Sequence, residues 1–331
     1  MDIVTQGLLG AAAAQSASSS RHVRLAALTG FAAGLLPDAD TLIRSDADPL
    51  LVIEYHRHFT HALPFVPVGA LVAALLLWPL LRRHLSFAQV YGYAFLGYLT
   101  HGFLDACTSY GTRLLWPVSD VPISWSIVAV VDPVFSGCLL AGLIAAWWLR
   151  ERRWGWLGLA LAGAYLVFGA VQHQRALDVA EALAQDRGQT PERVLVKPTM
   201  GNVLLWRAVA VDGAVAHIDA VRIGPAGGSK VYQGRTAELI DPARWQDLPA
   251  DSVAYRELSR FHGYSDGLLV AHPDAPGYVG DLRYSMLPTE IAPLWGIVLD
   301  ASRPDEPIDF VARREFTPQM RRAFIDMLRG R

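Results

Sequence analysis

Cysteine is nearly absent from this chain: Cys107 and Cys138 are the two in 331 residues. With no CxxC spacing they build neither a zinc knuckle nor a disulfide framework, and they read as packing residues. Charge is also scarce, 18% of residues, and nearly balanced at −2. There is no basic surplus to neutralise a phosphate backbone, so nucleic acid is not an expected partner. Neither a P-loop nor a dinucleotide fingerprint occurs, so no glycine-rich phosphate cradle is expected. No internal repeat is visible, and the Ala/Ser stretch from Ala11 to Ser20 is the one low-complexity tract. The start, MDIVTQGLLG, has Asp2 where a cleavable signal would carry basic residues, and its apolar core is short. The first helix is therefore expected to be retained.

What the chain has instead is apolar length. At 52% hydrophobic residues it divides into two unlike parts, 1–175 and 176–331. Residues 62–81, 86–105, 127–149 and 154–171 are apolar runs of roughly 18 to 23 residues, the length a helix needs to cross lipid. Residues 3–14 and 23–36 are shorter and rich in Ala, Gly and Leu, as in close-packed intramembrane helices. The first part is thus expected to be an α-helical membrane domain of about four to six membrane helices. The second part changes texture. RALDVAEALAQDRG predicts a short helix ending at Gly188. From Val194 the pattern predicts strands, with Asp212-Gly213 as a hairpin signal. SVAYREL, GLLVAHP, GYVGDLRYSML, LWGIVLD and IDFVARREF are further strand candidates. Thr317 and Pro318 open a last helix through Met327. A smaller β-rich domain follows the membrane part.

Basic residues set the expected orientation. Arg82 and Arg83, Arg150, Arg152 and Arg153, and Arg21 and Arg24 flank the spans on one side, which should be cytoplasmic. Trp78, Trp147, Trp148, Trp154 and Trp156 fall at that level, with Trp116 and Trp125 at the other. The C-terminal domain then emerges on the extracytoplasmic side.

Acids and imidazoles cluster in the opposite loops: Asp38 and Asp40 in LPDAD, His56, His58 and His61 in HRHFTH, His101 and Asp105 in HGFLD, and Asp132 in VDP. Such groups are costly to desolvate beside lipid, and together they read as a divalent-metal site. His101 and Asp105 are four apart and share a helix face. His58 and His61, three apart, can do the same, whereas His56 and His61 meet only if the segment bends. Each cluster also has a plainer reading. Asp38 or Asp40 can cap a helix, His101 can be a packing residue, HRHFTH can be an interfacial basic loop, and Asp132 can cap a helix or orient a ligand histidine, the role favoured here. His22, His84, His173, His217, His262 and His272 read as ordinary surface or core residues.

In these motifs the chain resembles a family. MDIVTQGLLGAA, LPDAD, HRHFTH, HGFLDACTSYGTRLLWP, VVDPVF, KPTMGNVLLWR and GDLRYS are similar, along nearly the whole chain, to the YdjM-like inner-membrane proteins, described as membrane-bound metal-dependent hydrolases. The resemblance implies Asp38, Asp40, His56, His61, His101 and Asp105 as metal-site residues, with Arg57, Thr60 and Asp132 in support. Two positions depart from the pattern. Gln6 stands where some members carry histidine, and His58 where a glycine often follows the His-Arg pair, which adds a ligand back.

The expectation is a membrane-embedded hydrolase of the bacterial inner membrane. Asp40, His56, His58, His61, His101 and Asp105 hold the metal, zinc or manganese, and Asp38, Arg57 and Asp132 serve catalysis. Arg57 would hold an anionic substrate oxygen. The expected partners are the lipid bilayer and a phosphoester or lipid-linked envelope compound. An ion- or proton-coupled transporter, or a structural protein with a stabilising metal, is the alternative; a transporter predicts ligands spread through membrane depth and an inverted repeat.

Overall fold

The computed structural model describes residues 1–245 and 248–331. They form two compact units, one of Met1–Ile43, Tyr55–Val171 and Met200–Val203, the other of Arg44–Glu54, Gln172–Thr199 and Leu204–Arg331.

The first unit is helical. α1 (Ile3–Ser16) starts where the Asp2 carboxylate accepts the Thr5 N–H, and α2 (Val23–Leu35) runs into a 3-10 segment, Leu36–Leu42, that carries LPDAD. The short α3 (Leu51–Tyr55) follows, then two 3-10 turns at Phe59–His61 and Leu63–Phe65. α4 (Val66–Leu81) leads to α5 (Phe87–Ala106), which opens with a capping box between Ser86 and Gln89. α6 (Pro133–Leu149) begins later than the expected 127, because Asp132 caps it and Pro133 takes its first position. α7 (Arg153–Asp186) joins the expected span and the expected short helix into one helix of 34 residues. No Pro or Gly lies between residues 170 and 187, so the change to polar composition there alters the solvent the helix prefers and not its backbone. Two segments, Leu63–Leu81 and Arg153–Asp186, are long and apolar enough to cross a membrane among the described residues, and α6 is a shorter apolar helix.

Glycine sets how closely these helices pack. A Cβ on Gly97 of α5 would collide with the Gly30 carbonyl of α2. Without one, the two backbones meet directly, as small residues permit between membrane helices.

The second unit holds two antiparallel four-stranded sheets, each in sequential order. β1 (Arg193–Pro198), β2 (Leu205–Asp212), β3 (Val215–Ile223) and β4 (Ser229–Glu238) form one. Asp212 pairs with Val215 across the expected hairpin, with Gly213 at φ 60° in its turn. β5 (Leu269–Ala271), β6 (Tyr278–Asp281), β7 (Trp295–Val298) and β8 (Asp309–Ala312) form the other. Val209, Val211 and Ile218 share a buried core with Leu268, Val270 and Leu282. The SVAYREL segment is not a strand. Ser252 caps it and it forms α8 (Val253–Tyr264), burying Ala254, Glu257, Leu258 and Phe261 at helical spacing. Arg260 of α8 binds Asp48 at 3.0 Å and Glu54 at 2.6 Å, tying residues 44–54 into this unit. α9 (Pro318–Arg329) starts at the expected Thr317 cap and packs Met327 and Phe324 against Leu205 and Ala220.

Candidate metal centre

Three segments of the first unit supply the centre. The 3-10 run after α2 brings Asp38 and Asp40, the turn before α4 brings His56 to His61, and the last turn of α5 brings His101 and Asp105. Asp38, His61, His101 and Asp105 each place one ligand atom within 4.8 Å of the others, and Asp38, Asp40 and His56 form a second such group. His61, His101 and Asp105 are buried, and Asp38 is partly open, its side chain 18% exposed.

Hydrogen bonds fix which imidazole nitrogens face the centre. His101 Nδ1 lies 2.6 Å from the Gly34 carbonyl, which can only accept, so Nδ1 carries the proton. Thr60 Oγ1 donates to Asp40 Oδ2 at 2.8 Å and has only its lone pairs left for His61 Nδ1 at 3.0 Å. His61 Nδ1 therefore donates as well, with Asp40 Oδ2 a further 3.2 Å partner. Both Nε2 atoms then turn inward, 3.0 Å apart. Asp38 Oδ1 is 3.3 Å from His101 Nε2, and Asp105 Oδ2 is 3.4 Å from His61 Nε2.

Two imidazole lone pairs and two carboxylates so disposed repel one another unless a positive charge joins them. Burial opposes charge on His61, yet Asp105, Asp38 and Asp40 raise its pKa to about 10. The carboxylates demand a cation at this point, and a proton fills that role where a metal ion does not. The donor set of two nitrogens and two oxygens, with each imidazole oriented from its other nitrogen, fits a divalent metal.

The neighbouring residues are committed elsewhere. Asp40 accepts from His56 Nδ1 at 2.9 Å and from the Arg57 N–H at 3.1 Å, besides Thr60 and His61. Burial works against its charge, but the bonds from His56 and His61 hold its carboxyl well below the usual range. Arg57 is buried at φ 64°, its Nε 3.1 Å from Asp105 Oδ2, its Nη1 donating to Thr108 Oγ1 and its guanidinium over the Tyr110 ring. The guanidinium thus holds a member of the centre. Asp132 accepts from the Val134 and Phe135 N–H groups and from Tyr165 Oη at 2.8 Å; no hydrogen bond joins it to a histidine among the described residues. Its contacts are those of a helix cap and not of a group orienting a ligand. His58 stacks near Tyr55 and Trp116 and belongs to neither group of ligand atoms.

Several contributors carry no sequence signal of their own. The Gly34 carbonyl acts through its backbone, and Gly102 matters because a Cβ there would meet the His61 carbonyl. Gln6, whose position suggested a lost ligand, is in the centre: Nε2 donates to Asp105 Oδ1 at 2.7 Å, and Oε1 is buried without a partner. The Met1 nitrogen also contacts Asp105 Oδ1.

The model of the YdjM inner membrane protein family matches residues 1–176. The KPTMGNVLLWR and GDLRYS motifs lie beyond those residues. The chain is also similar to the uncharacterized protein YfhP of Bacillus subtilis, with 28% identity over 198 residues, 59% of this chain and 57% of that relative. The match thus spans little more than half of the relative's length. No solved structure matches.

Proposed function

The chain belongs to the YdjM inner membrane protein family, and on that premise we propose that it is a metal-dependent hydrolase acting at the extracytoplasmic face of the bacterial inner membrane. The observation that carries this reading is the pair of Nε2 lone pairs held 3.0 Å apart between two carboxylates. Asp38, His61, His101 and Asp105 hold the ion, with Gln6 Oε1 in reach of the same centre. Two nitrogens and two oxygens suit zinc or manganese. A divalent ion there supplies Lewis acidity and brings a water toward ionisation near neutral pH.

The chain's own groups do the rest. Asp40 orients His61 and receives the Nδ1 proton of His56, whose side chain is 34% exposed at the rim of the centre. Paired this way, His56 is placed to carry a proton between solvent and a bound substrate. Arg57 positions Asp105. Asp38, the open member, marks the side from which a substrate enters, and a phosphoester of a lipid-linked or envelope compound fits a site at a membrane edge.

Membrane topology belongs to the same proposal. Arg82, Arg83, Arg150 and Arg153 sit at the α4, α6 and α7 ends opposite the centre, which supports a cytoplasmic side there. α5 and α6 complete four crossings, α1 and α2 are intramembrane, and the C-terminal sheet domain is extracytoplasmic.

The burial of three ligands favours a second reading, a structural ion that staples α2, α5 and the His56–His61 turn. One experiment separates the two. Full-length protein in detergent is analysed for metal, for hydrolysis of bis(p-nitrophenyl) phosphate and for its melting temperature, as wild type, His61→Ala and Asp38→Asn. The hydrolase reading expects metal lost in His61→Ala, and turnover lost in Asp38→Asn with melting unchanged. Metal loss that collapses the fold of a protein without turnover supports the staple. No retained metal and no activity with any divalent ion overturns both.

A further inference from the structure

Away from the candidate metal centre, α1, α2 and α6 leave an open groove of about 330 Å³ lined by apolar and aromatic side chains. Ala11 and Ala27 form its floor, small enough to give it depth, while Leu28, Ile144 and Trp148 stand exposed along its rim. A soluble surface of this kind would be costly, whereas in an inner-membrane family an apolar surface suits hydrocarbon. At one end lies Arg24. Its Nε donates to the Trp147 carbonyl at 3.2 Å and its guanidinium lies over the Trp147 ring. The two terminal nitrogens of Arg24 have no hydrogen-bond partner among the described residues. A fork of N–H donors fixed by an aromatic ring at the mouth of an apolar trough matches a phosphate followed by an acyl chain.

We propose that this groove is a binding site for one anionic phospholipid, its acyl chain against Ala11, Ala27 and Ile144 and its headgroup phosphate on Arg24. The occupant follows from the combination. Apolar walls alone would accept any lipid or a neighbouring helix, whereas the unfilled fork adds a preference for negative charge at the level where headgroups begin. The site does not depend on the hydrolase reading, since none of its residues contributes to the metal centre. Its effect on the protein is to bridge α6 to α1 and α2 on the side where these helices leave space.

Native mass spectrometry of the full chain released from detergent, titrated with phosphatidylglycerol or phosphatidylcholine of the same acyl chains, tests this. Wild type is expected to retain phosphatidylglycerol with a preference of about fivefold, the size of one arginine's attraction to an anionic headgroup. Arg24→Gln should erase the preference while leaving the weaker binding common to both lipids. Ile144→Trp, at an exposed rim position, should fill the trough and weaken both. Melting curves of the two variants establish that each is folded, and because they act at opposite ends, either alone tests the site. Equal binding of the two lipids by wild type, or a preference that survives Arg24→Gln, overturns the proposal. So does a wild-type dimer that Ile144→Trp dissociates, since the groove would then be a seat for a second copy. Activity is not read, so the outcome is separate from the fate of the hydrolase.

Discussion

Both units bury charge, and they do so in opposite ways. In the second unit Arg207 is 2% exposed, yet its Nη1 donates to the carbonyls of Pro288 at 2.9 Å and Glu290 at 2.7 Å, and its Nη2 to that of Leu282 at 2.8 Å. Nearby, Arg283 closes on the Asp281 carboxylate through Nε and Nη2. Apart from Arg207 Nε, which is buried without a hydrogen-bond partner, these donors meet acceptors that the protein itself provides. In the candidate metal centre the balance fails: two carboxylates and two inward lone pairs crowd a space in which the Gln6 amide, the Arg57 Nε and the Met1 nitrogen turn to Asp105, and none of them reaches Asp38 or the two Nε2 atoms. Burial alone therefore does not mark a ligand site. An excess of acceptors over donors does, because only a cation from outside can resolve it.

The largest test of that contrast is Arg207→Met. Loss of the guanidinium takes a donor from three carbonyls, at about 1–3 kcal/mol for each one left unsatisfied, so the second unit should lose roughly 3 kcal/mol or more of stability. Metal content should stay unchanged. Thermal melting beside metal analysis of the same preparations checks both, and a variant as stable as wild type would break the view that this charge is closed by its own acceptors.

Asp40→Asn probes the other side with a smaller effect. The amide keeps the volume and one acceptor but loses the charge that orients His61 and His56. Metal affinity should fall about 10- to 100-fold, the range found when an outer partner of a ligand is removed. Competition with a chelator measures it. An unchanged affinity would mean that Thr60 Oγ1 alone sets the His61 tautomer.

Much of this architecture was legible in the chain itself. Helix-length apolar runs placed α4, α5 and the first half of α7, and Asp212-Gly213 placed the β2–β3 hairpin, because those signals are local. His101 and Asp105 were legible as a pair for the same reason, being one helical turn apart. What stayed hidden depended on distant partners. Ser252 reads as the start of a strand until its oxygen caps α8, and the SVAYREL run reads as a strand because its buried helical face is set by distant partners. Asp132 looked like a partner for a ligand histidine, but its carboxylate is taken up by α6 and Tyr165. Gln6 looked like a vacancy because its role runs through Asp105, ninety-nine positions away.

The smallest expected effect concerns Lys197, a cation of the second unit that its surroundings close less well than Arg207. Lys197 lies opposite Arg207 in the β1–β2 ladder, and its Nζ sits 3.4 Å from the centre of the Tyr284 ring. The ring offers a face to the charge but no hydrogen-bond acceptor, and Arg207 and Arg283 crowd it with like charge. Burial and those two guanidinium groups hold the ammonium well below its usual 10.5. The sign follows from proton counting. Between the lowered folded value and 10.5 the unfolded chain binds the proton and the folded chain does not, so stability should rise with pH through that window. Below the folded value the full cost of the charge is present. Lys197→Met keeps the apolar stem against Tyr284 and removes the ammonium, and should stabilise the unit by about 1 kcal/mol at neutral pH. It should also flatten the alkaline rise in melting temperature. Destabilisation instead, with the rise intact, would show that the contact with Tyr284 outweighs the repulsion, and that the second unit closes this cation as fully as it closes Arg207.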